Sequence, residues 1–223
     1  LVKTLGSDGA NYMAIEFQTD RENFFSIAQK LTFCNLCPEM GAKTAIFPQH
    51  PWESDPDANF NRIIEIDMST VEPNVALPYS PENVVTAKEA SGIPVDQVYI
   101  GGCANGSLED FRQVRGFLRG RRIHEGVRLV VVPSTQKTYY DAMNEGILRD
   151  LIDCGAVIGP VQCGACAGLQ MGVLAEGEVC VATTNRNFKG RMGHPSSKIY
   201  LAGPLVAAAS ALTGVITDPR EVE

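Results

Sequence analysis

The chain has 223 residues, of which 44% are hydrophobic and 20% charged, a composition that excludes a disordered or fibrous protein. Its net charge is −7, and residues 1–90 hold the acidic excess, with 6 Lys and Arg against 13 Asp and Glu. An acidic chain is a poor partner for a phosphate backbone, so no nucleic-acid partner is expected. The most apolar stretch, residues 201–216, is shorter than the roughly 20 residues of a membrane span and predicts a buried helix instead.

The first part of the chain alternates between short strands and one helix. Strands are predicted at residues 12–17, 44–47 and 63–67, and a helix at residues 21–36. The predicted apolar side of this helix consists of Phe24, Phe25, Ile27, Ala28 and Leu31. Residues 48–59 are rich in Pro and Asp and are expected to form a loop.

Four prolines between residues 72 and 95 predict an irregular crossing between two domains. We place the boundary near residue 92, which gives domains at 1–92 and 93–223. The second part alternates strands and helices, an order that predicts an α/β fold with mostly parallel sheets. Its predicted elements are strands at 97–100 and 128–132, a helix at 107–118 with Ser107 as N-cap, a helix from Ser134 to 144, and a further helix and strand ending at Ile158.

Seven cysteines are spaced unevenly, unlike the dense framework of a small disulfide-rich domain. This usage favours a reducing, cytoplasmic setting, where clustered cysteines are more often metal ligands or catalytic groups. Cys103 follows a predicted strand on a glycine-rich turn before a helix, where the helix N-terminus stabilises a thiolate. Cys163 and Cys166 form a C-x-x-C pair on a second glycine-rich loop after a strand.

Several interpretations of these cysteines stay open. Three thiolates suit either zinc or a cubane cluster, and the C-x-x-C pair alone also fits a redox dithiol. Cys34 and Cys37 form another C-x-x-C pair, so a four-cysteine zinc site with Cys163 and Cys166 is conceivable. The 125 residues between Cys37 and Cys163 argue against it, since zinc ribbons separate their pairs by roughly 15 to 20 residues.

Two further segments carry polar side chains. One contains Asn185, Arg186 and Arg191, and guanidinium groups bind carboxylates through paired hydrogen bonds. The other contains Asn35 and Glu39, which share a face if the helix continues that far. A carboxylate beside a metal-bound water can hold or deliver its protons. Taken alone, the first segment is more often a solvated basic loop and the second a polar helix end.

In this order, the four segments resemble the aconitase and isopropylmalate dehydratase family over nearly the whole chain. The family's I-G-S-C-T-N-G motif is similar to the segment around Cys103, and its C-x-x-C-x-G motif to that around Cys163. Its S-N-R-N-F-x-G-R motif is similar to the segment around Arg186, and its C-N-M-x-x-E-x-G-A motif to the one starting at Cys34. The resemblance implies aconitase-type α/β domains of the two-subunit large-subunit type, without the swivel domain and lacking the family's N-terminal part.

The resemblance also implies a cofactor, an activity and residue roles. A 4Fe-4S cluster would have one iron without a protein ligand and would dehydrate and rehydrate a small hydroxy di- or tricarboxylic acid, as in isopropylmalate dehydratase or homoaconitase. The metal ligands would be Cys103, Cys163 and Cys166. The catalytic residues would be Asn35, Glu39 and Asn185, and the substrate-binding residues Arg186 and Arg191.

There are departures from the family pattern. Gly102 and Ala104 stand where the family has Ser and Thr, which removes two hydroxyls close to the cluster. The family also draws site residues from a preceding domain and a catalytic serine from the swivel domain. A small swivel subunit is therefore the expected partner, and the chain alone is expected to be inactive. The main alternative is a non-catalytic zinc-binding structural domain, while RNA binding is disfavoured by the acidic balance.

Overall fold

The computed structural model describes residues 1–21, 23–49 and 52–222. The strands are β1 Ala14–Glu16, β2 Thr44–Ile46, β3 Asn74–Ala76, β4 Val84–Thr86, β5 Gln97–Gly101, β6 Arg128–Val132, β7 Val157–Ile158, β8 Val179–Ala182 and β9 Lys198–Ala202. The helices are α1 Val2–Leu5, α2 Ile27–Leu36, α3 Gly102–Asn105, α4 Leu108–Leu118, α5 Gln136–Asn144, α6 Ile147–Cys154 and α7 Pro204–Thr213. Short 3₁₀ helices lie at Cys37–Met40, Met68–Thr70, Gly164–Ala167 and Pro219–Glu221.

Strands β3 to β9 form one seven-stranded sheet in the order β4-β3-β9-β8-β5-β6-β7. The five strands β5 to β9 pair with one another in parallel. Strand β3 is antiparallel to both of its neighbours, β4 and β9. In the centre, Val98 pairs with Leu129 of β6 and Val181 of β8. The predicted mixed α/β class with mostly parallel strands is confirmed. A separate two-stranded parallel sheet joins β1 and β2.

The main core lies on the two faces of the large sheet. Val98 and Ile100 point to the face covered by α4, α6 and α7, where Phe111 and Leu151 are fully buried. Because side chains alternate along a strand, Tyr99 points to the opposite face. There it packs in a second cluster with residues such as Met192. The apolar runs that predicted β5 and β6 reflect burial on both faces.

Helix α2 begins later than the predicted residue 21. Ser26 is its N-cap, and Ser26 and Gln29 form a reciprocal capping box that fixes the first turn. The apolar side of the helix is not buried, because Ile27 is 77% and Leu31 58% exposed and no residue of α2 is buried. The helix periodicity is present, but within the described residues no element covers that face.

Two other expectations are corrected. Residues 63–67 do not form a strand, since this segment lacks a pairing partner among the described residues. Residues 72–95 are not an irregular crossing, because they contain β3 and β4, and β3 bonds to β9. The division near residue 92 stays a prediction, and β3 and β4 join the sheet of the second part.

The remaining elements follow the sequence closely. Ser107 caps α4 through a capping box with Asp110, as predicted. The cap of α5 is Thr135 rather than Ser134, because the Thr135 hydroxyl accepts the Thr138 amide at 3.0 Å. The apolar segment near the C-terminus contains the predicted buried helix, α7. Within the described residues, no helix has both the length and the apolar character to cross a membrane.

Candidate metal centre

The turn that carries Cys103 is shaped by Gly101 at the end of β5. Gly101 has a φ of 136°, and a Cβ there would lie 1.9 Å from the Val132 carbonyl oxygen, so only glycine fits. The chain turns sharply into α3 and leaves the Cys103 side chain exposed. The Gly101 amide donates to the Thr183 hydroxyl at 2.9 Å, and Asn105 Nδ2 donates to the Thr183 carbonyl at 2.9 Å. Cys103 is thereby tied to the end of β8.

The C-x-x-C loop rests on a buried tyrosine. Cys163 directly precedes the 3₁₀ helix Gly164–Ala167 and is exposed, while Cys166 is half-buried. The Tyr99 hydroxyl, on a side chain that is 0% exposed, donates to the Cys163 carbonyl at 3.1 Å. Gly164 has a φ of 53°, and a Cβ there would lie 2.8 Å from that hydroxyl oxygen. The loop therefore sits directly against Tyr99.

The three predicted ligand cysteines lie near enough to this tyrosine to influence its ionisation. Burial is the main cause that raises the pKa of Tyr99, and Cys166, Cys163 and Cys103 are among the thiols that raise it further. Burial likewise raises the pKa of Cys166, while the Arg191 guanidinium opposes that shift and the other two thiols add to it. All three are free thiols. They follow β5 and β7, whose carboxyl ends lie at one edge of the sheet, where α/β proteins bind ligands.

Three thiol groups suit either zinc or a cubane cluster. Within residues 1–21, 23–49 and 52–222, no group of three or more His, Cys, Asp or Glu side chains is placed to hold one metal ion. Asn185 Oδ1 and Arg191 Nε are buried without a partner among the described residues. Buried polar atoms of this kind are ordinarily satisfied by water or by a bound group.

Two asparagines tie α2 to the cysteine turn. Asn35 Nδ2 donates to the Cys103 carbonyl at 3.0 Å, and Asn185 Nδ2 donates to the Asn35 carbonyl at 3.0 Å. Asn185 lies just beyond the end of β8. Residues separated by 150 positions thus form one hydrogen-bonded chain that ends at Cys103.

Glu39 and Arg186 form a partly buried ion pair. Arg186 Nε donates to Glu39 Oε1 at 2.6 Å, and the two side chains are 43% and 6% exposed. Glu39 lies on the 3₁₀ helix Cys37–Met40, which follows α2 directly and ends at the left-handed Gly41. Asn35 and Glu39 were expected to share one face of a continuing α-helix. The α-helix instead ends at Leu36, and Glu39 lies on the 3₁₀ helix that follows it. A carboxylate this buried requires such a partner.

The two predicted substrate-binding arginines contact different groups. Arg186 pairs with Glu39, whereas Arg191 lies beside Cys166. Their assignment as substrate-binding residues stays a prediction. Space is open at Gly102, where a Cβ would meet nothing within 4 Å, although its φ of 82° is strained for any other residue.

Sequence reasoning missed three residues that hold the site together. Thr32 Oγ1 donates to the Ala104 carbonyl at 2.5 Å, and Asn187 Nδ2 donates to the Leu77 carbonyl at 2.8 Å, anchoring the loop after β8. Tyr99 is the third. Asn187 directly follows Arg186 in the same sequence motif, and this position could have identified it as part of the site. The position of Tyr99 opposite Val98 and Ile100 followed from strand alternation.

Three of the other cysteines pack in the interior. Cys37, Cys154 and Cys180 are buried. Burial, with a contribution from Cys34, raises the pKa of Cys37 to about 11, and burial raises that of Cys180 to about 12. Their full burial suits a role in packing.

The centre is open on this chain. Cys103 and Cys163 are exposed. One cavity of about 180 Å³ lies between α2 and α4, and a groove of about 430 Å³ lies between α2 and β2. Neither is lined by the three cysteines.

The fold and the site together define a class: an α/β protein with three cysteines on loops after the parallel strands, near amide, carboxylate and guanidinium groups. The sequence model of the Aconitase family (aconitate hydratase) matches residues 86–214, more than half of the chain. The chain belongs to this family.

Individual relatives agree with that assignment. The chain is 46% identical to the 3-isopropylmalate dehydratase large subunit of Clostridium botulinum (strain Alaska E43 / Type E3), over all of this chain and 57% of that protein. It is 46% identical to large subunit 1 of Methanopyrus kandleri, over 97% of this chain and 56% of that protein. It is 47% identical to the large subunit of Moorella thermoacetica, over 98% and 56%. The chain thus spans little more than half the length of these relatives.

Proposed function

We propose that this chain is the cluster-binding part of an iron-sulfur hydro-lyase of the isopropylmalate dehydratase type. The observation that carries the proposal is that the two cysteine-bearing turns meet at β5: the Tyr99 hydroxyl of this strand donates to the Cys163 carbonyl at 3.1 Å, and Cys103 lies in the helix that directly follows the strand. The family and the names of the relatives support the reaction class. The substrate would be a small hydroxy di- or tricarboxylic acid, and the partner a small swivel subunit, in keeping with relatives named as large subunits.

The three thiolates would hold a 4Fe-4S cluster through three of its irons. When bound, the cluster would supply a Lewis-acidic iron that polarises the substrate hydroxyl. Asn35 orients the Cys103 turn through its 3.0 Å bond to the Cys103 carbonyl, and Asn185 holds Asn35 in turn. Hydrogen bonds of this kind to ligand-bearing loops fix the geometry of a metal site.

Glu39 would hold the proton of the substrate hydroxyl. Arg186 engages Oε1, which leaves Oε2 to accept a hydrogen bond from that hydroxyl. Arg186 keeps its terminal nitrogens for a substrate carboxylate, and Arg191 offers a second guanidinium beside Cys166. The base that takes the carbon-bound proton would come from parts of the enzyme outside this chain. All seven cysteines are free thiols, which supports a reducing, cytoplasmic location.

Reconstitution with iron and sulfide under anaerobic conditions tests the cluster. The chain should bind about three to four irons and absorb broadly at about 400 nm. Ser in place of Cys103, Cys163 or Cys166 should remove most of that iron. Cys34→Ser is the matched control, because Cys34 is a half-buried free thiol with its own C-x-x-C partner. Stoichiometric zinc without iron, or equal iron loss in Cys34→Ser, would contradict the proposal.

Turnover tests the rest of the proposal. The isolated chain should be inactive toward citrate, isopropylmalate and homocitrate. Activity should appear when the chain replaces the matched region of the Clostridium botulinum large subunit and is mixed with a small swivel subunit. Full hydratase activity of the isolated chain would overturn the expected need for these parts.

A further inference from the structure

Strand β5 contains a polar side chain in the interior of the protein. Gln97, the first residue of the strand, is 0% exposed. Because side chains alternate along a strand, Gln97 lies on the same face as Tyr99, which supports the C-x-x-C loop. Burying an amide costs free energy unless its hydrogen bonds are made. An apolar side chain of similar size would fill the same space, so its hydrogen bonds are what distinguishes Gln97 at this position.

Both ends of the Gln97 amide have a partner. Nε2 donates to the Gly172 carbonyl at 2.7 Å, and Oε1 accepts from Arg128 Nε at 3.3 Å. A guanidinium only donates and a carbonyl only accepts, so these two partners allow one orientation of the amide. Arg128 is itself held by Glu178, with 2.8 Å between Nη1 and Oε1. The Gly172 carbonyl therefore has a donor of fixed orientation that lies 75 positions away in the sequence.

Gly172 belongs to the segment that follows the C-x-x-C pair, residues 168–174. A Cβ at Gly172 would lie 3.4 Å from the Ala165 Cβ and 3.7 Å from Cδ2 of the Tyr99 ring. Ala165 directly precedes Cys166 and is 0% exposed. One side of the 168–174 segment is therefore packed against the turn that carries Cys166.

The other side of the 168–174 segment contacts the main chain around Arg191. The Leu174 amide donates to the carbonyl of residue 192 at 2.8 Å, and the Leu174 carbonyl accepts from the amide of residue 194 at 2.9 Å. A Cβ at Gly168 would lie 3.0 Å from the Arg191 carbonyl oxygen. The Arg191 guanidinium in turn lies beside Cys166. The 168–174 segment thus lies between a predicted cluster ligand and a predicted substrate-binding arginine.

We propose that Gln97 is a positioning residue for the candidate metal centre. It holds the Gly172 carbonyl and thereby fixes the 168–174 segment, and this segment keeps Arg191 beside Cys166. Gln97 acts through the segment and not through a contact with the cluster. Hydrogen bonds behind a ligand-bearing loop fix the geometry of a metal site. The inference rests on the proposed function for the identity of the group at the centre, but its first test uses the metal-free chain.

Hydrogen exchange in Gln97→Met tests the first step. Methionine keeps the length of the side chain but removes both hydrogen bonds. The amides of Leu174 and His194 should exchange at least about fivefold faster relative to those of β6, because the segment opens locally while β6 reports global opening. Val98→Ala is the control, since it truncates a buried side chain on the other face of β5, and it should not raise this ratio. An unchanged ratio in Gln97→Met would overturn the proposal.

The visible circular dichroism of the reconstituted cluster gives a second readout, which a loss of stability alone does not change. Its shape should differ from the wild type in Gln97→Met and match it in Val98→Ala. Gly168→Ala disturbs the segment from its other side, because its Cβ meets the Arg191 carbonyl, and should also alter the shape, which keeps the proposal testable if Gln97→Met does not fold.

Three results separate this proposal from the proposed function. Wild-type dichroism in both Gln97→Met and Gly168→Ala would overturn the positioning role. The same spectral change in Val98→Ala would overturn it as well, because the effect would then follow from stability. A wild-type chain that takes up no iron would overturn the proposed function instead, and the exchange ratio of the metal-free chain would then decide the role of Gln97.

Discussion

At the scale of single residues, the C-x-x-C loop is supported by a tyrosine that is not among the predicted metal ligands. Tyr99 is 0% exposed, and its hydroxyl donates to the main chain of Cys163 and not to a thiol. Its role is to position the C-x-x-C loop. The burial that surrounds it also keeps its hydroxyl protonated, since burial raises the pKa of Tyr99.

Tyr99→Phe should weaken cluster retention without unfolding the protein. The variant removes one hydrogen bond, worth about 0.5–1.5 kcal/mol, and keeps the ring. We expect the absorbance of the reconstituted cluster to decay about three- to tenfold faster in air. Tyr200→Phe, in another buried tyrosine of the sheet, is the control and should match the wild type. Equal decay in Tyr99→Phe would refute the positioning role.

Arg186→Ala should destabilise the fold. It leaves the Glu39 carboxylate, whose side chain is 6% exposed, without its partner. We expect the free energy of unfolding in urea to fall by about 1–3 kcal/mol, and Glu39→Gln in the same protein to restore part of it. Arg112→Ala is the control, because its pair with Glu145 is exposed and worth under about 1 kcal/mol. Losses of the same size in the two variants would show that burial of Glu39 is unimportant.

The sequence predicted the identity of most site residues but not their contacts. Cysteine spacing and motif order pointed to Cys103, Cys163 and Cys166. The pairing of Glu39 with Arg186 spans 147 positions, and no local pattern encodes so distant a contact. The order of the strands brings them together.

At the scale of elements, the sequence predicted strands best where both faces are buried. Strand β6 matches its predicted range, Arg128–Val132, because its side chains have to be apolar on either face. Helix α2 was predicted less well. The spacing of its apolar residues predicted a helix with one apolar face. Periodicity does not predict whether another element packs against that face.

The two capping boxes should differ in their effect on stability. Ser107→Ala removes the cap of α4, which has three buried residues, and should lower the free energy of global unfolding by roughly 1 kcal/mol. Ser26→Ala removes the cap of α2, which has none, and should mainly speed amide exchange within α2. Urea unfolding and hydrogen exchange measure the two effects. Equal losses of global stability would mean that α2 is as integral to the core as α4.

The turn after α7 should make stability depend on pH. Hydrogen bonds from Arg220 lower the pKa of Asp218 in the folded state, and burial opposes them. A lowered pKa stabilises the fold above the unfolded value of about 4, and this stabilisation is lost as pH falls through the folded value. The free energy of unfolding should therefore decline below about pH 4, and less steeply in Asp218→Asn. Asp153→Asn, at an exposed carboxylate, serves as control. An unchanged decline in Asp218→Asn would contradict this.

At the scale of the whole molecule, the two parts of the chain differ in how much of their apolar surface is buried. The seven-stranded sheet has a core on both faces, whereas in the described part of residues 1–72 helix α2 and the groove between α2 and β2 are exposed. The candidate metal centre lies where these two regions meet, since Asn35 and Glu39 come from one and the cysteines from the other. Motif order predicted that these segments belong together. The exposure of α2 was not predictable from its sequence, because a helical period does not show which element covers a face.

The central claim is that three cysteines hold a cluster in which one iron has no protein ligand. Controlled oxidation with a chelator, followed by return of labelled iron and Mössbauer spectroscopy, tests it most directly. We predict that about one iron in four leaves and returns, at a single spectroscopic site, because the other three are held by Cys103, Cys163 and Cys166. Loss of all irons together, label spread over every site, or a chain that takes up only zinc would contradict the account.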